Sequence, residues 1–168
     1  QPESPLAQPE SPLGQPASPL VLPPFEIGRP INDFNLITQV AAEQKPLAPQ
    51  PGSGSISGVL YSYQTTAVIP GTAFYLTPAV EVDGQLVPPT LYSGPKEENG
   101  DIGSFTDNYG RFDLDNVPPG VYYLAVFAPY DWILAFESQE ATMPLQIEVK
   151  EGEALDLDLL WVSWPNGG

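Results

Sequence analysis

The sequence has no cysteine and no histidine in 168 residues, and only five lysines and arginines stand against 21 aspartates and glutamates. Without cysteine there is no disulfide framework and no thiolate nucleophile or ligand. Without histidine there is no imidazole to serve as general base or metal ligand, so a Ser-His-Asp hydrolase is excluded. The formal net charge of -16 repels nucleic acid and anionic lipid, and no counterion release would drive such binding. No run of residues is long and apolar enough for a signal or a membrane span, so membrane insertion is not expected. Hydrophobic residues make up 42% and charged residues only 15%, which leaves surface solubility to Ser, Thr, Asn, Gln and Pro. A chain that opens at Gln1 without methionine suits a processed, exported protein, and gives the expectation of an extracellular or cell-surface location.

Proline, by contrast, is abundant, with 22 residues. Residues 1–20 repeat a heptapeptide three times: Gln-Pro-Glu-Ser-Pro-Leu-Ala, Gln-Pro-Glu-Ser-Pro-Leu-Gly and Gln-Pro-Ala-Ser-Pro-Leu-Val. Two prolines per repeat forbid a helix and favour polyproline II, whose rise of about 3.1 Å per residue carries twenty residues roughly 60 Å. Two readings stand open. One is a stalk with Ser4, Ser11 and Ser18 as glycan acceptors. The other is a strap that presents Leu6, Leu13 and Leu20 to grooves on a neighbouring subunit.

Residues 21–44 are too apolar for an ordinary linker. Phe34, Leu36, Thr38 and Val40 alternate as in a strand, while Phe34, Ile37 and Val40-Ala41 fit a helical face with Asn32 or Asp33 as N-cap. The periodicity does not separate these. Prolines 30, 46, 49 and 51 isolate the segment, and Pro51-Gly52-Ser53-Gly54 marks a boundary. The expected divisions are a Pro-rich repeat tail over 1–24, an apolar connecting segment over 25–52, and a β-sandwich domain over 53–168.

The densest pattern runs from Thr106 to Val126. Asp107, Asn108 and Gly110 tolerate the positive φ of a tight turn, and Phe112 and Leu114 then alternate with Arg111, Asp113 and Asp115. Pro118-Pro119 removes two donors and Gly120 permits a reversal before Tyr122, Leu124 and Val126 resume the alternation. A β-arch or hairpin follows. Ile56–Tyr63 and Ala73–Val82 read as strands, with Pro78 suggesting an edge or a bulge. Asp83-Gly84 is a hairpin signal, and the polar loop from Ser93 to Gly103 reads as exposed. Ile133–Phe136 reads as a short strand and Leu145–Val149 resumes the alternation. In the last strand Leu155, Leu157, Leu159 and Trp161 face one way, and Asp156, Asp158 and Leu160 the other.

Gly-Arg-Phe followed by Asn-Val-Pro-Pro-Gly-Val-Tyr, together with Ile56-Ser57-Gly58-Val59, Pro70–Leu76, Leu145–Val149 and Leu155–Leu159, resembles the carboxypeptidase regulatory-like group of β-sandwiches. The likeness covers residues 53–162. It implies an all-β, antiparallel, transthyretin-like sandwich and a non-catalytic structural or binding unit. Related surface modules carry a Lys-Asn isopeptide bond between first and last strands, but Ile56–Tyr63 contains no lysine. The expected core is Val59, Phe74, Leu76, Phe112, Leu114, Tyr122, Leu124, Val126, Ile147, Val149, Leu157 and Leu159.

No catalytic residue, cofactor or metal is assigned. Asp113 and Asp115, two apart on one strand, share a solvated face instead of opposing each other across a cleft. Glu97, Glu98, Asn99 and Asp101 are hard oxygen donors that would suit calcium, as are Asp113, Asp115, Asp156 and Asp158, but no ordered ligand spacing accompanies them. Tyr130, Trp132 and Trp164, with Trp161, suggest an aromatic platform for sugar rings. The preferred function is a structural, self-assembling surface protein. Its subunits would join head to tail into a filament through Leu6, Leu13, Leu20, Phe34, Leu36, Ile37 and Val40, with Phe34–Val40 added as a strand to a neighbour's sheet edge; the competing account folds that segment back on its own domain as an extra strand or short helix. The alternative is a carbohydrate-binding adhesion module on a Pro-rich stalk, using Tyr130, Trp132 and Trp164. The chain itself and surface glycans are the expected partners.

Overall fold

The computed structural model describes residues 21–90 and 94–165. Leu6, Leu13 and Leu20 lie outside these residues. Helix α1 (Phe34–Glu43) comes first, followed by strands β1 (Gly54–Ser62), β2 (Ala67–Val68), β3 (Ala73–Pro78), β4 (Val80–Val82) and β5 (Gln85–Val87). A single 3-10 turn (Glu97–Asn99) then precedes β6 (Ile102–Phe105), β7 (Arg111–Val117), β8 (Gly120–Ala128), β9 (Asp131–Leu134), β10 (Ile147–Val149) and β11 (Ala154–Val162).

Two sheets face each other. In the first, β1 lies between β11 on one side and β2 with β7 on the other. In the second, β8 lies between β3, itself flanked by β6, and the pair β9 and β10. Alternation aims Ile56, Leu60, Phe112, Leu160 and Val162 of one sheet at Phe74, Leu76, Tyr122, Leu124, Val126, Ile147 and Val149 of the other. The Phe74 and Phe112 rings meet at 4.9 Å between centroids. The protein is therefore an all-β sandwich. Its pairings are antiparallel among the described residues, with the exception of β1 and β11, which run parallel.

The chain between β7 and β8 is an arch, because β7 pairs with β1 and β8 with β3. Pro118-Pro119 cannot donate to a ladder, so the chain leaves one sheet there and enters the other, with Tyr122 Oη donating to Pro118 O at 2.7 Å. Asp83 and Gly84, at φ 53° and 80°, make the expected tight hairpin between β4 and β5. Pro78 marks a local edge and not a bulge. It ends β3, an inner strand, at the point where pairing with β6 has already stopped.

The open choice over residues 34–40 is settled as helix. Asp33 caps it, its Oδ1 accepting from Asn35 N at 3.0 Å and Leu36 N at 3.4 Å. Ile37, Val40 and Ala41 pack on Val59, Tyr61 and Val68, the outer side of the first sheet. The strand-donation expectation is thus corrected in its geometry: the segment forms no strand, and Ile37 and Val40 cover the chain's own sheet. Leu36 is half-buried in the same cluster and Phe34 is 43% exposed. Because both sides of β1 are covered, every one of its nine residues is buried. Two of its polar positions find partners, Ser62 Oγ donating to Trp164 O at 2.6 Å and Ser55 Oγ to Leu47 O, while Ser57 Oγ is buried with no partner among the described residues.

The face assignment of the last strand also changes. Ser57 pairs with Asp156 but Val59 with Leu159, so β11 holds one extra residue, and Asp158 takes φ 60° to form the bulge. One inserted residue exchanges the two faces. Leu155 and Leu157 approach the central core before the bulge, whereas Leu160 and Val162 enter it after, and Leu159 and Trp161 turn outward beneath α1. Of the expected core, Val59 and Leu159 therefore belong to the helix-covered cluster, and Leu114, Leu157 and Leu159 are only half-buried.

Candidate binding site

The outer side of the second sheet carries the most chemistry. Residues that alternate with the core positions of β3, β8 and β9 point outward there, so Tyr75, Thr77, Tyr123, Phe127 and Trp132 share that side. The segment leading into β6 folds over it. Gly94, at φ 84°, lies so close to Trp132 that a Cβ would stand 3.0 Å from the ring. Trp132 in turn meets Tyr75 edge-on at 4.8 Å and Phe127 at 5.1 Å. The loop expected to be exposed is in this part a cover, with Gly94 buried.

Beneath this cover lies a cavity of about 470 Å³ lined by Tyr75, Thr77, Pro78, Lys96, Asn99 and Asp101 among others. The 3-10 turn fixes Asp101: Gly100 N donates to Glu97 O at 2.9 Å, and Lys96 N donates to Asp101 Oδ2 at 2.9 Å. The other carboxylate oxygen, Oδ1, is buried with no hydrogen-bond partner among the described residues. A buried acceptor without a donor is costly, so a ligand carrying a donor gains by filling the place. Tyr75 lies beside it, 2% exposed. Burial first, and the Asp101 charge second, push its phenol up to about 12. The lining includes one carboxylate, Asp101, and one ammonium, Lys96, so the cavity is balanced in charge. Among the described residues no three carboxylates converge as a metal site. Asp101 was considered as a calcium ligand from the sequence, but its pairing with Tyr75 was not legible there, since it depends on how the loop falls across the sheet.

The aromatic residues expected to form a flat platform differ in their surroundings. Tyr130 is 95% exposed at the turn between β8 and β9. Trp132 is half-buried, tilted by 72° to Tyr75 and 53° to Phe127. Trp164 is half-buried and donates its Nε1 proton to Phe127 O at 3.0 Å. Trp161 went to the other sheet, where it packs on Tyr61 at 4.8 Å.

Two of the acidic residues singled out on strands, Asp115 and Asp156, have structural partners. Asp115 Oδ2 accepts from Gln50 Nε2 at 2.9 Å, and Asp115 O from Gln50 N at 2.8 Å, fastening the linker along β7. Asp156 Oδ1 accepts from Asp158 N at 2.9 Å and so supports the bulge. Asp113 is exposed, and its carboxyl is pushed up by desolvation, a shift that Asp115 adds to and that Gln44, Leu47 and Arg111 oppose.

Neither a family model nor a curated protein matches this sequence. Among solved structures, the chain is similar to a candidate carbohydrate-binding protein from Pseudomonas aeruginosa, at 23% identity and a TM-score of 0.39, over 68% of this chain and 91% of that one. It is also similar to the major pilin subunit of Bacillus cereus in two structures. One gives 15% identity and a TM-score of 0.36 over 67% of this chain and 30% of that one. The other gives 19% identity and a TM-score of 0.23 over 63% and 31%. The chain thus spans about a third of the pilin subunit's length.

Proposed function

We propose that this is a non-catalytic extracellular or cell-surface module of the carboxypeptidase regulatory-like kind, which binds a neutral, hydroxyl-rich ligand such as a sugar beneath the loop of residues 94–101. The observation that carries this reading is the buried Oδ1 of Asp101, without a hydrogen-bond partner among the described residues, in a charge-balanced cavity of about 470 Å³. Cavities of this size suit one small ring. A sugar hydroxyl donates to Oδ1, while Thr77 and Asn99 offer further polar groups. A calcium ion would need six or more oxygens, and an anion would meet the Asp101 charge.

A glycan array read alongside tryptophan fluorescence tests the reading, because Trp132 abuts both Gly94 and Tyr75 and reports on the cavity. Saturable binding that perturbs fluorescence and is lost in Asp101→Ala is the expected result. Binding lost in Tyr130→Ala but retained in Asp101→Ala would move the site to the exposed aromatic turn. No binding to any glycan would end the sugar reading.

A second reading, self-association through the N-terminal segment, is favoured by a different observation. The 23–33 segment frames a groove beside the point where the proline-rich repeats join the domain.

A further inference from the structure

Between the turn of residues 23–33 and the loop bearing Tyr109 runs a groove of about 750 Å³. Its walls are fastened by hydrogen bonds. Tyr109 Oη donates to Pro23 O at 2.8 Å, Arg29 N to Glu26 O at 3.0 Å, and Val68 N to Ile31 O at 3.0 Å. The lining is rich in rings, with Pro23, Pro24, Phe25, Pro30 and Tyr109, and Phe25 is 38% exposed. Arg29 is the one cation among the described lining residues. Its side chain is 81% exposed, with Glu26 at 3.8 Å.

We propose that this groove receives the proline-rich repeats of a second copy of the chain. The inference rests on the self-association reading and names its contact. Each repeat contains two prolines three residues apart: Pro2 and Pro5, Pro9 and Pro12, Pro16 and Pro19. A polyproline II helix completes a turn in three residues, so each pair lies on one face. Grooves walled by aromatic rings take such faces, because the ligand is extended beforehand and loses little entropy on docking. In the first two repeats a glutamate, Glu3 or Glu10, follows the leading proline. It meets Arg29, but the lining also carries the carboxylates of Glu26 and Asp33, so the rings and not the charge carry the contact.

The repeats join the domain beside their own groove, yet a second copy is the better occupant. Prolines 16, 19, 23 and 24 resist the sharp reversal needed to fold the nearest repeat back. The first repeat begins twenty residues before Val21, a reach of roughly 60 Å at polyproline rise. A repeat of one copy in the groove of the next is a head-to-tail contact. It does not close, and it generates open chains. Three similar repeats raise the effective concentration at each groove without demanding tight single contacts.

Sedimentation of the full chain across concentrations tests the proposal, with and without an excess of the free peptide Gln-Pro-Glu-Ser-Pro-Leu-Ala. The expected result is concentration-dependent association that the peptide reverses. Phe25→Ala combined with Arg29→Glu should weaken it by about tenfold or more, with the circular dichroism spectrum unchanged. Peptide competition decides the matter if that variant misfolds. Association that persists against both peptide and variant overturns the groove inference while self-association stands. A chain that stays monomeric at every concentration overturns both.

Discussion

Asp107 organises the loop before β7 almost alone. Its Oδ1 accepts from Tyr109 N at 2.8 Å and Arg111 N at 2.9 Å, and its Oδ2 accepts from Arg111 Nε at 2.7 Å. Its backbone oxygen accepts from Gly71 N and Gly110 N, both at 3.1 Å. Gly110 sits at φ 77°, where a Cβ would stand 2.9 Å from Val68 Cβ. The turn itself was foreseeable from Asp107, Asn108 and Gly110, because it is local, whereas the contacts to Gly71 and Val68 were not. Tyr75 is different, since its neighbour Asp101 lies 26 positions away. Its folded pKa of about 12 exceeds the ordinary 10.0, so the unfolded chain ionises first. Its contribution to stability is full below pH 10 and is lost as pH rises toward 12, by about 2 to 3 kcal/mol in all. Tyr61 and Tyr122 are pushed up by burial too and act in the same direction. Urea unfolding at a series of alkaline pH values should therefore show falling stability, with a shallower fall in Tyr75→Phe. An unchanged slope in that variant would contradict the assigned pKa.

At the scale of elements, strands were legible and their faces only partly so. The alternation of Phe112 and Leu114, and of Tyr122, Leu124 and Val126, needs no knowledge of the partner strand. The bulge at Asp158 does. A residue with positive φ costs energy that is tolerated here because it returns Leu160 and Val162 to the core. Gly58 shows the same coupling, for a Cβ there would stand 2.9 Å from Phe112 Cζ and 3.1 Å from Asp158 O. Helix α1 was ambiguous because Phe34 and Val40 fit both periods, with Leu36 and Thr38 completing the one and Ile37 and Ala41 the other. Its position was decided by the apolar outer side of β1, which would otherwise face water. Ile37 is fully buried there, so Ile37→Ala should cost about 2 to 5 kcal/mol in chemical denaturation. A loss well under about 1 kcal/mol would mean that the helix does not cover the sheet in solution.

For the whole molecule the net charge of -16 matters more than any single ion pair. Two salt bridges occur among the described residues, Arg29 to Glu26 at 3.8 Å and Arg111 to Asp107 at 2.7 Å. Both are local in sequence and partly solvated, so they offset little of the general repulsion. Raising sodium chloride to about 0.5 M should screen that repulsion and lift the thermal midpoint by a few degrees, roughly 2 to 5 °C. A lower midpoint in salt would show that attractive pairs dominate. Salt should also separate the two proposed contacts. A neutral ligand under the 94–101 loop is indifferent to it, whereas the docking of two copies that each carry a net charge of -16 is strengthened by screening.

The sequence alone determined the all-β character, a reversal of the chain at Pro118-Pro119, the hairpin at Asp83-Gly84 and the absence of thiol and imidazole chemistry. Each depends on residue type or on neighbours a few positions apart. Tertiary structure decided what those strands touch. It folded Phe34–Glu43 back as a helix because β1 has two apolar sides, and it placed Leu160 rather than Leu159 in the core through one inserted residue. It also parted Trp161 from Trp132 by assigning them to different sheets, and it brought Asp101 beside Tyr75 by laying a loop across the second sheet. All four outcomes depend on pairings between residues far apart in the chain, whose register no local pattern encodes.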